Sequence, residues 1–133
     1  MRIMIVGDGH SQIHEIAMAN NFKKLNHHVK TFFWSNYFQS KNIFISIFKR
    51  LENKFIFGPD LFLINKNLIQ SSIKFNPNFI FFYRATHIYP KTIESIKTNL
   101  PLCILCGYNN DDPFSGSHSK ALWRFFFEIY SKI

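Results

Sequence analysis

Arg2-Ile3-Met4-Ile5-Val6-Gly7-Asp8-Gly9-His10 is the stretch on which the fold turns. Ile3 to Val6 are apolar without alternation, the pattern of a strand covered on both faces, and Gly7-Asp8-Gly9 delivers that strand into a tight turn. A helix should follow. Asp8 or Ser11 can cap it, Glu15 favours its positive end, and Met18, Ala19, Phe22 and Leu25 form an apolar stripe opposite Asn20, Lys23 and Lys24. Asn26-His27-His28 ends it, with the two imidazoles suited to a helix C-terminus when protonated. Residues 29–34, Val-Lys-Thr-Phe-Phe-Trp, are rich in β-branched and aromatic side chains and predict a second strand, closing a first βαβ unit.

Outward from that unit the same alternation continues. Ile43, Phe44, Ile47, Phe48, Leu51 and Phe55 recur at helical spacing, with Ser46, Lys49, Arg50 and Asn53 on the opposite side. Lys49 and Arg50 would suit an anionic membrane surface, yet an apolar stripe is equally what covers a sheet, and packing on the sheet is the expectation taken. Gly58-Pro59-Asp60 restarts a helix that runs to about Phe75, and Asn76-Pro77-Asn78 is a turn. Residues 79–83 predict a third buried strand, Pro90 opens a short helix through Ile93 and Ile96, residues 102–106 predict a fourth strand, and a last helix is expected over 117–132. The order β-α-β-α-α-β-α-β-α with continuously apolar strands predicts one α/β domain over residues 1–133. It should be doubly wound and Rossmann-like, with a mostly parallel sheet of about four strands flanked by helices.

Composition bounds the remaining choices. At 133 residues, 47% hydrophobic and 18% charged, the chain can bury one real core and is not disordered. It has no apolar run of membrane-spanning length, and its start reaches glycine and aspartate too early for a signal peptide, so a cytoplasmic protein is expected, with peripheral contact at the inner membrane surface as the one membrane association to consider. The two cysteines, Cys103 and Cys106, exclude a disulfide scaffold; three apart on a strand they would diverge, so both read as thiols. Sixteen Lys and Arg against eight Asp and Glu give +8, which favours anionic partners, but the basic residues are scattered and no nucleic-acid motif is present, so nucleic acid is not an expected partner.

In an open parallel sheet ligands gather at the carboxyl ends of the strands, near the point where strand order reverses. That rule nominates Gly7, Asp8, Gly9 and His10 after the first strand, Arg84 with Thr86 and His87 after the third, and Asn109, Asn110, Asp111 and Asp112 after the fourth. Gly7-x-Gly9 does not complete a dinucleotide fingerprint, because Gln12 stands at the third glycine and Trp34-Ser35-Asn36 supplies no ribose-binding acid. A P-loop is absent. The esterase-like Gly-Asp start has Gly9 where an oxygen nucleophile would be needed. His10 and His14 are four apart, a metal-compatible spacing, but two ligands do not make a site and no metal is expected.

The opening strand and turn, Phe79-Ile80-Phe81-Phe82-Tyr83-Arg84, and above all Gly107-Tyr108-Asn109-Asn110-Asp111-Asp112-Pro113-Phe114-Ser115 with Leu122-Trp123-Arg124, resemble the amino-terminal part of CgeB-like (spore maturation protein type) glycosyltransferases over nearly the whole chain. The resemblance implies the acceptor-side half of a two-domain GT-B enzyme. A second Rossmann-like domain would hold the nucleotide-sugar donor, and that domain is expected to be missing after Ile133. It implies no cofactor bound by this chain itself, a carbohydrate or other hydroxyl acceptor, and a donor-binding domain or subunit as partner. His10 is the first choice for a base that deprotonates the acceptor, with Asp111 or Asp112 in reserve. Gly7, Asp8, Gly9, Arg84, His87, Asn109 and Asn110 would bind substrate, Arg84 meeting a phosphate or carboxylate. The rival expectation is a non-catalytic α/β module that binds a nucleotide or a protein through the same crevice. An exposed aromatic face around Trp123 and Phe127 would favour a split enzyme over that module.

Overall fold

The computed structural model describes residues 1–111 and 126–133. Strand β1 (Arg2–Gly7) leads through one π-helical turn (Gln12–Ile16) into helix α1 (Ala17–Lys24) and strand β2 (His28–Phe33). A 3-10 turn (Trp34–Phe38) precedes helices α2 (Ile43–Phe55) and α3 (Pro59–Phe75). Strand β3 (Phe79–Tyr83), helix α4 (Pro90–Asn99), strand β4 (Ile104–Tyr108) and helix α5 (Phe126–Tyr130) complete the order.

All four strands are parallel and lie in the order β2-β1-β3-β4. Ile3 pairs with Val29 on one side and Phe79 on the other, and Ile80 pairs with Leu105. Because each parallel step needs a crossover, helices cover both faces, as the uninterrupted apolar strands require. Met4, Val6, Ile80 and Phe82 point to one face and are buried against Ile64 and Leu68 of α3 and Ile93 and Ile96 of α4, while Ile3 and Ile5 point to the other and meet Ala19, Met18 and Phe22 of α1. Each fully buried aliphatic or Phe side chain contributes about 1.5–3 kcal/mol, so the central strands hold the fold together. The chain leaves β1 toward β2 and later returns to its other side as β3, so strand order reverses between β1 and β3. That crevice is where ligands bind in sheets of this kind.

Helix α2 overturns the expectation for its amphipathic face. Its apolar side looks outward: Ile43, Phe44, Ile45, Ile47, Phe48, Leu51 and Phe55 are all exposed, Phe44 to 80%. Part of the polar side makes the contacts with the protein instead, while Arg50 stays exposed. Lys49 donates to the Tyr37 carbonyl and pairs with Asp60 Oδ2 at 2.8 Å, Glu52 is buried, and Asn53 Oδ1 meets the ring of His87. A hydrophobic period shows that a helix has two unlike sides, and here the specific polar contacts decide which side turns inward.

Smaller differences have local causes. Trp34 is not in β2 but opens the 3-10 turn that swings its buried ring across the sheet end. β4 runs two residues later than expected because Pro101-Leu102 forms a turn with Leu102 exposed, and pairing with β3 extends through Gly107 and Tyr108. Ser11, not Asp8, caps the helical segment, its hydroxyl accepting from the His14 amide. Leu25 is exposed beyond the end of α1. Cys103 and Cys106 are free thiols, and burial pushes the Cys103 thiol up from its ordinary value. The expected last helix overlaps α5 only in part; Leu122, Trp123 and the rest of 112–125, and with them the aromatic face expected around Trp123, lie outside the described residues.

Candidate functional site

The three polar clusters that follow β1, β3 and β4 converge. Arg84 lies at their centre. Its Nη1 is 3.5 Å from Asp8 Oδ2 and its Nη2 is 2.8 Å from Asp111 Oδ2, so one guanidinium spans the β1 and β4 loops across the switch point. Its backbone is left-handed, with φ of 50°, a conformation that costs a non-glycine residue about 1 kcal/mol or more and is tolerated where the surroundings hold it. Here the Arg84 amide donates to the Tyr108 carbonyl at 2.9 Å and the Arg84 carbonyl accepts from the Thr86 amide at 2.6 Å. The turn throws the side chain back over the strand ends. The buried Nε of Arg84 has no hydrogen-bond partner among the described residues.

His10 stands at the rim with its side chain 72% exposed, its Nδ1 3.7 Å from Asp8 Oδ1. The same Asp8 oxygen accepts from the His10 amide at 2.8 Å, which fixes the carboxylate beneath the ring. Gly9, at φ +75°, makes this turn possible, and a Cβ there would lie 2.6 Å from the Phe33 ring. Below the turn sits Glu15, in the first helical turn and fully buried. Its Oε1 accepts from the Gly9 amide at 3.0 Å, and Gly7 leaves the space it fills. Burial raises the Glu15 carboxyl above its ordinary range, and the nearby Asp8 charge adds to the rise. The closeness that Gly7 and Gly9 permit is therefore to Glu15 and Phe33, which shape the loop that presents Asp8 and His10.

Behind Arg84 the β3 loop is clamped by Asn65 of α3. Its amide donates to the carbonyls of Leu61 and His87, and its oxygen accepts from the Tyr89 amide and the Thr92 hydroxyl, so this buried residue uses all its bonding capacity. His87 is held by this clamp, stacked on Trp34 with ring centroids 5.7 Å apart and edge-on to Phe38. Nε2 lies 2.8 Å from Asn53 Oδ1, an acceptor, so Nε2 carries the proton and Nδ1 accepts from Thr86 Oγ1 at 3.0 Å. Burial pushes its pKa down to about 4, against the opposing effect of the hydrogen bond it donates to Asn53. His87 is thus a neutral imidazole that lines the cleft and holds α2 to the β3 loop.

Asp8, His10, Arg84, Thr86, His87 and Trp34 line a cleft of about 180 Å³. That is below the roughly 300 Å³ at which complete small-molecule sites begin, and fits a surface that grips one unit of a ligand. A larger cavity of about 350 Å³ lies against the other sheet face, lined by Ile13, Met18, Phe22, Tyr83 and Tyr108. It is apolar, and its one imidazole, His14, is already bonded to Ser11 and stacked on Tyr83 at 5.2 Å, so convergent chemistry favours the smaller cleft.

Of the expected site residues, His10, Asp8, Arg84, His87 and Asp111 are brought together. Asn109 turns to its own loop, its amide donating to the Asp111 carbonyl, and Asn110 accepts from the Tyr83 hydroxyl at 3.1 Å. Asp112 lies outside the described residues. Glu15, Asn65 and Asn53 were not expected; one sequence carries no signal that a glutamate in a helical first turn and an asparagine on a periodic helix are buried, or that the exposed Asn53 meets His87. Among the described residues no three His, Cys, Asp or Glu gather as a metal would require, and no helix is long and apolar enough to cross a membrane. Comparison with protein-family models, curated proteins and solved structures returned no match.

Proposed function

We propose that the switch-point cleft receives a hydroxyl-bearing carbohydrate and that the chain is the acceptor-side domain of a glycosyltransferase. The observation that supports this reading is the Asp8–Arg84–Asp111 bridge with His10 at its edge. Two carboxylates flank one guanidinium, so the described rim carries no surplus of positive charge, and a phosphate would meet Asp8 and Asp111 along with Arg84. A neutral polyol suits it better, because sugar hydroxyls donate to carboxylates and accept from guanidinium N–H groups. Arg84 therefore serves an acceptor rather than the phosphate considered from sequence.

In this reading His10 takes the proton of the acceptor hydroxyl, whose oxygen bonds to the anomeric carbon of the donor as the bond from that carbon to the nucleoside diphosphate breaks. The donor and its leaving phosphate would be held by a facing donor-binding unit, in keeping with a cleft that forms half a site. The rival, a nucleotide-binding module, would need the charge balance at Arg84 reversed.

Glycan-array binding tests the proposal. The wild-type chain should retain carbohydrate ligands, Arg84→Gln should lose them, and nucleotides should not compete. Nucleotide binding lost in Arg84→Gln, with no glycan retained by the wild type, would replace the acceptor domain with the nucleotide module.

A further inference from the structure

We infer that the outward face of α2 docks the protein on an anionic lipid bilayer. The face is long and continuous along the helix: Ile43, Phe44, Ile47, Phe48, Leu51 and Phe55 are all exposed, Ile43 to 71% and Phe48 to 52%. Phe57 continues it past the helix, and Phe62 and Leu63 on the first turns of α3 are exposed too. Single exposed apolar residues are ordinary, but a whole helix stripe with large aromatic rings is not. The inversion of α2 is held from within, by Lys49 on Asp60, by Glu52 in the interior and by Asn53 on His87, so the stripe is presented outward by specific bonds.

Charge selects the occupant. Between residues 41 and 66 the acidic side chains are Glu52 and Asp60. Glu52 is buried and Asp60 is neutralised by Lys49, whereas Lys41, Arg50, Lys54 and Lys66 are exposed. An apolar helix face edged by cations alone is the pattern that lies in the headgroup layer of a membrane, its rings in the acyl boundary and its cations on anionic headgroups. Lys54 sits over the Phe55 ring, 5.6 Å from its centroid, so a cation directly borders the apolar face. A second copy of the chain is disfavoured as occupant, since it would bring one cationic rim against another in a molecule of net charge +8.

Vesicle flotation of the whole chain tests this, with phosphatidylcholine alone and with phosphatidylcholine mixed with phosphatidylglycerol. The wild type should float with the anionic vesicles, less so as salt rises, and not with the neutral ones. Phe44→Ser with Phe48→Ser should weaken partition by roughly tenfold or more, and Arg50→Gln with Lys54→Gln by about fivefold for each charge removed. Both variants replace exposed side chains; circular dichroism checks that they fold, and the charge variant stands by itself should the first not. No flotation of the wild type, or flotation unchanged in a folded variant, would overturn the inference. So would a wild-type dimer in sedimentation that the Phe44→Ser, Phe48→Ser protein fails to form without any vesicle binding, which would assign the face to a second copy.

Discussion

His87 ties the cleft to the α2 layer, and acidification should loosen that tie by a calculable amount. The imidazole is neutral in the fold with a pKa of about 4, against 6.5 for a free histidine. Between those two values the unfolded chain binds a proton that the folded protein refuses, so stability falls as pH drops from 6.5 through about 4 and levels off below. At roughly 1.4 kcal/mol per pH unit this window amounts to about 3 kcal/mol, a large fraction of the 5–15 kcal/mol that is usual for a domain. Glu15 and Glu52 act with the opposite sign. Burial raises both, Asp60 adding to the rise at Glu52 and Asp8 at Glu15, so their contribution is fully present below the ordinary value of 4.5 and is lost as pH rises through their raised values. They are common to wild type and a His87→Asn variant, and the difference between the two proteins isolates the histidine. Urea unfolding of both across the window should show the wild type losing about 3 kcal/mol more than the variant on acidification. Parallel curves would refute the reasoning, because they would mean that His87 titrates alike in the folded and unfolded chain.

Other perturbations follow from single contacts. Gly58 precedes α3 at φ +110°, and a Cβ there would lie 1.9 Å from a Glu52 carboxylate oxygen, so Gly58→Ala should lower stability by about 2–4 kcal/mol in thermal or urea unfolding, from strain plus the displaced glutamate. Asn65→Leu strands the His87 carbonyl, the Tyr89 amide and the Thr92 hydroxyl; a loss of about 3 kcal/mol or more is expected, with faster hydrogen exchange at Tyr89. Glu15→Gln keeps an acceptor for the Gly9 amide while removing a buried ionisable group, so at neutral pH it should be neutral or stabilising, whereas Glu15→Ala should cost about 1–3 kcal/mol by leaving that amide unpaired.

Much of the fold is legible in the sequence because burial on both faces leaves a plain trace. Ile3 to Val6 and Phe79 to Tyr83 are continuous apolar runs and form the two central strands. The polar clusters just past them converge because a parallel sheet puts all strand ends on one edge. What one sequence does not carry is the orientation of an amphipathic helix. The stripe of α2 has the same period whether it faces the sheet or the outside, and the decision rests on Lys49 finding Asp60 and Asn53 finding His87, pairs separated by 11 and 34 positions in the chain. The burial of Glu15 is not legible for a related reason: a carboxylate early in a helix is usually solvated, and only the three-dimensional closeness of the Gly9 amide makes its burial tolerable.

The direct test of the carbohydrate reading is amide-resolved NMR of the isotopically labelled chain during titration with an oligosaccharide panel. Shifts should concentrate at Asp8, Gly9, His10, Arg84, Thr86 and Asp111 and vanish in Arg84→Gln. Shifts confined to the apolar cavity around Met18 and Tyr108, or none with any sugar, would contradict it.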